Sequence, residues 1–391
     1  MALIDSMIFP TVGIEAVANM QNAWVALCLR VRPADGDLGT ALQTIFGNPG
    51  TLAAIAPLQA VLMLDSPDVL SEELLKLMPA PRVAFAVNAN SLTSDINRSF
   101  LHALHGRGYR VLVDGALPEG AKMPNEMHTV ARDFTVDAPL REVLPLMYGP
   151  HLAHGVDTAL RRGQCARVGY EWFAGDYPIH PEPSTEPNDG SSRKRLMTLL
   201  GLLARDAETR ELEALLKQDP ALSYHLLKLA NSAAFAHSAP ITSFGQAISV
   251  LGRRQLQRWL QLLLYARQQP DGLANPLLPV AALRAAHMEA LCKLDGGERD
   301  DQDLAFMTGV FSLLDLLFAM PMAEIVGTLS LPPLAADALL TRSGRFGEML
   351  SLAEARCATP PMLEQANFEP EPWWFSQLQA YHWAIQVSRN L

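Results

Sequence analysis

Residues 219–266 read DPALSYHLLKLANSAAFAHSAPITSFGQAISVLGRRQLQRWLQLLLYA. Apolar residues recur every three or four positions along this stretch, which is the spacing of amphipathic helices. Local signals divide it into three helices, because Asp219 and Pro220 are typical of a helix start, Ser243 is a typical N-cap and Gly252 is a typical helix end. Such helices must bury their apolar faces in a shared core, so the stretch predicts a helical domain.

The second and third helices have the clearest patterns. Ser243 and Gln246 match a capping box, in which each side chain satisfies a backbone group near the other residue. The second helix places Phe244, Ala247, Ile248 and Leu251 on one face, and the third places Leu256, Trp259, Leu260 and Leu263 on one face. The opposite face of the third helix is predicted to be solvated and carries Arg254, Gln257, Arg258 and Gln261.

This pattern resembles the HDOD domain, an all-helical bacterial signalling module related to the HD-type phosphohydrolases. The residues that carry the resemblance are Leu229, Asn231, Ser232, Phe235, Ser243, Ala247, Leu251 and Gly252. HDOD domains generally lack the metal-binding His-Asp pair, and none of the ten histidines here is followed by Asp. The resemblance implies a regulatory domain that binds other proteins. Backbone capping at helix ends explains Asn231, Ser232 and Ser243 about as well as binding does.

Length and composition favour two folded domains. A chain of 391 residues is too long for one ordinary core, and domains of roughly 150–200 residues are the usual unit. Residues 178–195 read PIHPEPSTEPNDGSSRKR, which predicts a linker between domains at 1–177 and 196–391. The net charge of −10 argues against nucleic acid as a partner, because phosphate binding needs clustered cations.

The cysteines and the apolar runs indicate a cytoplasmic protein. Four cysteines, Cys28, Cys165, Cys292 and Cys357, lie far apart and predict reduced thiols rather than disulfide or zinc sites. The first ten residues lack the basic region and cleavage site of a secretory signal. Asp315 interrupts the longest apolar run, so we expect a buried helix there and no membrane contact.

The first half of the chain alternates between strand and helix patterns. Buried strands are predicted at 24–29, 60–64, 82–87, 110–113, 134–136 and 165–170. Helices are predicted at 38–46, 72–78, 92–104 and 156–162, with Ser71 and Ser91 as the N-caps of the second and third. This order predicts a parallel sheet covered by helices, either open or closed into a barrel.

The second half is predicted to be almost wholly helical. Besides the three helices of 219–266, helices are predicted at 196–204, 212–216, 279–293, 302–320, 332–340, 346–356 and 371–388. The expected fold class is therefore α/β plus all-α, with a β/α domain followed by a helical one.

Five segments of the first half carry a second resemblance: WVALCLR at 24–30, RVAFA at 82–86, GYRVLVDG at 108–115, FTVD at 134–137 and LAHGVDT at 152–158. Their order and spacing resemble a shortened, degenerate EAL domain, a β/α-barrel phosphodiesterase of cyclic di-GMP. Ala26 stands in place of the signature Glu, an alanine replaces the Glu of 82–86, and His154 replaces a further Glu. Arg30 is kept as the expected phosphate contact, and Asp114 matches the first acid of a paired motif. The resemblance implies a barrel that lacks most of its metal ligands.

The two resemblances support three functional hypotheses. The first is a non-catalytic signal-transduction protein of EAL–HDOD architecture, without cofactor or metal, whose HDOD domain contacts other signalling proteins. The second is a sensor that binds cyclic di-GMP without hydrolysis, with Arg30 and Asp114 as ligand contacts. The third is a residual phosphodiesterase or an HD-type phosphohydrolase. His151, His154 and Asp157 form a compact group that fits either a weak metal site or, more simply, a loop with two histidines.

Overall fold

The computed structural model describes residues 9–34, 36–119, 129–136, 149–181, 190–205, 207–216, 224, 226–228, 231, 241, 244–266, 272–329 and 331–390. The chain divides into two compact units. The first contains Met1–Glu182 and Ala355–Leu378, and the second contains Pro183–Glu354 and Gln379–Leu391. Residues 355–378 therefore group with the first unit, although their sequence follows that of the helical half.

The first unit is built around a closed barrel of eight strands. The strands are β1 (Thr11–Ala18), β2 (Trp24–Arg32), β3 (Gln59–Leu64), β4 (Val83–Asn88), β5 (Val111–Asp114), β6 (Val130–Asp133), β7 (Leu152–His154) and β8 (Trp172–Ala174). β1 runs antiparallel to β2 and β8, whereas neighbours from β2 to β8 are parallel. The expected sheet is thus closed rather than open.

Small and branched apolar side chains fill the barrel. The buried cluster consists of Val17, Ala26, Cys28, Val61, Met63, Ala84, Ala86, Leu112, Ala131, Leu152, Trp172 and Ala174. Successive strand residues face opposite sides of a sheet. The inward positions of β2 therefore continue from Ala26 and Cys28 to Arg30, near the carboxyl end of the strand.

Within the described residues, five α-helices lie between the strands: α1 (Leu38–Phe46), α2 (Pro49–Ala54), α3 (Glu72–Leu77), α4 (Asp95–Gly106) and α5 (Ala159–Val168). Ser71 caps α3 as predicted, because its hydroxyl accepts a hydrogen bond from the amide of Leu74. The predicted cap Ser91 is wrong. It lies in a separate 3-10 helix, Ala89–Thr93, and Ser94 caps α4 instead.

Two of the predicted strands are wrong. The run at 165–170 contains the end of α5, which Thr158 caps and which ends at Gly169 with a φ of 119°. Short apolar runs occur in both buried strands and buried helices, so periodicity does not separate them. The strand predicted at 134–136 lies earlier, as β6, and ends at Asp133. The sequence analysis also did not predict β1, β7 and β8.

The second unit is helical. Its helices are α6 (Gly190–Ala204), α7 (Thr209–Leu216), α8 (Phe244–Leu263), α9 (Leu277–Leu294), α10 (Arg299–Phe311), α11 (Leu314–Phe318), α12 (Met322–Leu329), α13 (Pro333–Thr341) and α14 (Gly344–Glu354). They are followed by α15 (Pro360–Gln365) and α16 (Pro370–Asn390). In the described ranges, no helix combines the length and hydropathy needed to cross a bilayer.

The helical half agrees with most of the predictions. Two helices, α12 and α15, were not predicted, and the first helix predicted in 219–266 lies largely outside the described residues. α6 begins at Gly190, inside the stretch predicted to be a linker. The single helix predicted at 302–320 is two helices, α10 and α11, and Ala319 ends α11 with a φ of 47°. The second and third helices of 219–266 both lie within α8, and a φ of 73° and a ψ of 157° at Gly252 separate them, which confirms the helix end predicted there.

Candidate functional site at the mouth of the barrel

The carboxyl ends of the parallel strands form one mouth of the barrel, which is the usual position of sites in β/α barrels. A cavity of about 290 Å³ lies there. Charged and polar residues in its lining are Glu15, Arg30, Arg32, Asp133, Thr135, His154 and Arg356. The mouth thus combines cations and acids from strands that are distant in sequence.

The two residues predicted as ligand contacts reach this mouth differently. Arg30 is exposed and lines the cavity. Asp114 ends β5, and its Oδ1 lies 2.9 Å from Nε2 of His154. His154 ends β7, lines the cavity and is only 6% exposed. Arg30 therefore lines the cavity itself. Asp114 does not line the cavity, but it contacts the buried His154, which does.

Arg356 joins three acids around the mouth. Its Nη2 lies 2.6 Å from Oδ1 of Asp157 and 2.6 Å from Oδ2 of Asp176. Its Nη1 lies 3.3 Å from Oε1 of Glu15. Burial lowers the pKa of Arg356, but hydrogen bonds to Asp176 and Asp157 raise it by more, so the guanidinium stays charged.

Two acids that line the cavity have opposite pKa shifts. Burial raises the pKa of Glu15, and the charges of Arg356 and His154 offset only part of that rise. Burial also raises the pKa of Asp133, but the hydroxyl and amide of Thr135 donate hydrogen bonds at 2.6 and 2.9 Å and bring it below its usual value. Asp133 is thus ionised, with one oxygen already bound by Thr135.

Alanines occupy two positions where the EAL resemblance places acids, namely Ala26 and one alanine of 82–86. Ala26, Ala84 and Ala86 are all fully buried inside the barrel. A two-metal site needs several carboxylates that converge on the ions. Within the described ranges, no group of three or more His, Cys, Asp or Glu side chains is placed to hold a metal ion. Among the described residues, these alanines supply no carboxylate to such a site.

The histidines predicted as a compact group lie apart. His151 is fully buried, and its Nδ1 accepts a hydrogen bond of 3.2 Å from the amide of Val130 at the start of β6. His154 contacts Asp114 at the end of β5. Because these contacts are at opposite ends of the parallel strands, His151 supports the backbone and only His154 belongs to the mouth.

The second unit contains four of the residues that carry the HDOD resemblance. Asn231 Nδ2 donates to the carbonyls of Leu227 and Ile241 at 2.8 Å each, and Asn231 Oδ1 accepts from the amide of Ile241 at 2.7 Å. Ala247 and Leu251 are buried, and Gly252 has a positive φ. All four have structural roles. The remaining motif residues, Leu229, Ser232, Phe235 and Ser243, lie outside the described residues.

The face of α8 that was predicted to be solvated instead contacts neighbouring helices. Arg258 donates to both carboxylate oxygens of Glu289, at 2.5 and 3.0 Å, and to Asp303 at 2.8 Å. Its guanidinium also lies 4.6 Å from the ring centroid of Phe306. Gln261 is only 6% exposed. Charge in the sequence therefore marks ion pairs between helices here rather than a free surface.

Sequence reasoning missed Glu15, Asp133 and Arg356. Val12 and Ile14 are buried at alternate positions, and this period-two pattern could have revealed β1 and hence Glu15. Asp133 was missed because β6 was placed too late in the chain. No local signal identifies Arg356, because its partner Asp157 is 199 positions away.

Comparison with known proteins identifies one domain of this chain. Residues 193–311 match the HDOD domain family, so the chain contains an HDOD domain that follows an eight-stranded barrel. The expected fold class, a β/α barrel followed by a helical HDOD domain, is confirmed.

Two curated relatives are similar over about half of the chain. The uncharacterized protein YuxH of Bacillus subtilis is 26% identical over 206 residues, which are 52% of this chain and 50% of the relative. The cyclic di-GMP phosphodiesterase CdgJ of Vibrio cholerae is 29% identical over 210 residues, which are 52% of this chain and 47% of the relative. The chain thus spans about half the length of the curated relatives it matches.

Two solved structures are also similar. The EAL domain of Mycobacterium smegmatis DcpA is 20% identical, with 42% of this chain and 90% of that chain covered and a TM-score of 0.35. An HDOD domain protein with unknown function from Geobacter sulfurreducens is 16% identical, with 53% of this chain and 93% of that chain covered and a TM-score of 0.34.

Proposed function

We propose that this chain is a non-catalytic signal-transduction protein whose HDOD domain binds other signalling proteins and whose barrel does not hydrolyse cyclic di-GMP. The observation that carries the proposal is that acids at the mouth already have partners within the protein. Asp114 is hydrogen-bonded to His154, and Glu15, Asp157 and Asp176 are ion-paired with Arg356. A guanidinium among these carboxylates repels divalent cations, which two-metal hydrolysis requires.

The test of the catalytic part is direct. Purified full-length protein is incubated with cyclic di-GMP and either Mg²⁺ or Mn²⁺, and the nucleotides are separated by chromatography. CdgJ, which is named as a cyclic di-GMP phosphodiesterase, is the positive control. We expect no linear product above the protein-free blank. Product that forms in proportion to protein concentration would contradict the proposal and support residual phosphodiesterase activity.

The second part of the proposal, protein binding by the HDOD domain, is tested by mapping where partners contact the chain. Partners that copurify with the full chain are cross-linked to it, and the cross-linked peptides are identified by mass spectrometry. We expect the cross-links to fall within 193–311, the HDOD segment. Cross-links confined to the barrel strands would contradict the assignment of partner binding to the HDOD domain.

A second function is favoured by Arg30 and Arg32. Both line the mouth cavity and both are exposed, so the cavity offers two cations to an anionic ligand. The relative CdgJ is named for cyclic di-GMP, and one similar solved structure is a calcium and cyclic di-GMP complex of Klebsiella pneumoniae BlrP1. We therefore propose that the barrel senses cyclic di-GMP without cleaving it.

Calorimetry separates this function from the first. Binding of cyclic di-GMP is measured for the wild type, for Arg30→Ala and for Arg107→Ala, a surface variant outside the cavity. A sensor is expected to lose about tenfold or more in affinity in Arg30→Ala only, because a charge-assisted phosphate contact contributes about 1.5–3 kcal/mol. No heat at roughly 50 μM ligand would count against the sensor and leave the first proposal intact.

A further inference from the structure

Arg356 reaches the barrel mouth from a segment that follows α14 in the chain. Besides its contacts through Nη1 and Nη2, its Nε donates to Oδ2 of Asp176 at 3.0 Å. The three acids that it contacts belong to different parts of the barrel. Glu15 lies on β1, Asp157 follows β7 and Asp176 follows β8. β7, β8 and β1 are neighbouring strands of the barrel, and one guanidinium bridges the acids on or after them.

The same segment forms part of the cavity wall. Cys357 lines the cavity together with Arg30 and Arg356. Cys357 also lies along β1, because a Cβ placed on Gly13 would be 3.5 Å from the Cβ of Cys357. If residues 355–358 moved away, the cavity would lose the wall formed by Arg356 and Cys357.

We propose that Arg356 is a reversible electrostatic latch that holds residues 355–358 against the barrel mouth and limits access to the cavity at Arg30. The latch consists of the three contacts of Arg356 with Glu15, Asp157 and Asp176. This inference does not depend on which ligand enters the cavity, and it stands or falls separately from cyclic di-GMP binding.

The exposure of the latch makes it reversible. The side chains of Arg356 and Asp157 are each 42% exposed and that of Asp176 is 40% exposed, so water and ions reach the contacts. Single ion pairs at such positions contribute little, and it is the sharing of one guanidinium by three acids that holds the segment. Salt screens exposed charges over about 8 Å at physiological ionic strength and about 3 Å at 1 M. The latch should therefore open as the salt concentration rises.

Cys357 provides a built-in reporter, because it is partly exposed whereas Cys28, Cys165 and Cys292 are buried. The intact chain is labelled with a maleimide, and the rate at each cysteine is read by peptide mass spectrometry. At low salt, Arg356→Ala is expected to raise the labelling rate of Cys357 about tenfold, the effect of losing several weak ion pairs at once. Salt at 1 M should raise the wild-type rate and leave the variant's rate nearly unchanged.

A second variant keeps the test independent of the arginine side chain. Asp157→Asn combined with Asp176→Asn removes two charges without shortening a side chain, and it is expected to speed labelling of Cys357 in the same way. Arg107→Ala is the matched control, because Arg107 is 43% exposed and pairs with Glu72 at 2.7 Å. Equal Cys357 rates in the wild type and both latch variants, or a rise shared by the buried cysteines, would overturn the latch.

Discussion

His154 Nε2 lies 2.9 Å from Asp114 Oδ1, although 40 positions separate the two residues in the chain. The strand between them, β6, is short, and the pair closes across its end. His154 stands where the EAL resemblance expects an acid. An acid at this position would repel Asp114, whereas the imidazole forms a hydrogen bond with it. Asp114, which was predicted as a ligand contact, thus holds the ends of two barrel strands together through its hydrogen bond with His154.

Removal of the Asp114 carboxylate should destabilise the first unit. In Asp114→Ala, the buried imidazole of His154 loses its partner, and an unsatisfied buried polar group costs about 1–3 kcal/mol in the free energy of unfolding. Urea unfolding followed by circular dichroism measures the change. Asp65→Ala, at an exposed acid after β3, is the control and should change stability by less than about 0.5 kcal/mol. Equal stabilities for the two variants would show that the pair contributes nothing.

Protonation of His287 should destabilise the fold in mild acid. His287 is fully buried, and burial lowers its pKa from 6.5 to about 4. Because the folded state disfavours the protonated form, its contribution to stability is fully present above pH 6.5 and is lost as the pH falls towards 4. The loss at pH 4 is about 3 kcal/mol for this group alone.

Unfolding free energies at pH 7 and pH 4 test this dependence on His287. In His287→Gln, which cannot be protonated in this range, the difference between the two pH values should be smaller than in the wild type. His102→Gln alters an exposed histidine of α4 and should leave the difference unchanged. A wild-type pH dependence in His287→Gln would contradict the assignment.

The side chain of Asn231 should stabilise the HDOD domain. Asn231→Ala removes three hydrogen bonds to the backbone of Leu227 and Ile241 and should lower stability by about 1–2 kcal/mol. Asn231→Asp keeps the acceptor but turns a carboxylate oxygen towards the two carbonyl oxygens that Nδ2 now contacts, so it should be no more stable than Asn231→Ala. Thermal unfolding of both variants measures this order, with the exposed Gln255→Ala as control. Loss of partner binding at unchanged stability would instead indicate a direct role in recognition.

Two glycine substitutions should have opposite effects. Gly252→Ala forces alanine into a φ of 73° and a ψ of 157° and should cost about 1–3 kcal/mol, although nothing lies within 4 Å of the added carbon. Gly201→Ala lies within helix α6, where nothing contacts the added carbon either, and should stabilise by about 0.5–1 kcal/mol. Denaturant midpoints distinguish the two. A neutral Gly252→Ala would show that the interruption of α8 does not need glycine.

Local sequence signals predicted the elements that depend on neighbouring residues. The cap at Ser71 and the helix interruption at Gly252 were predicted correctly, because capping and positive φ are properties of a few adjacent residues. The strands β2 to β5 were also predicted, since their apolar runs lie between clear turn signals. The helix start at Ser94 and the helical structure within 165–170 were not predicted, because two local patterns compete at each place.

The sequence by itself determined the helical character of Phe244–Leu263, the HDOD resemblance that the family match at 193–311 confirms, and the replacement of expected acids by residues such as Ala26. Only the tertiary structure decided the composition of the barrel mouth. Arg356 meets Asp157 across 199 positions, and His154 meets Asp114 across 40. Contacts of this kind follow from how the closed barrel brings strand ends together, and no local propensity encodes which distant charges will meet there.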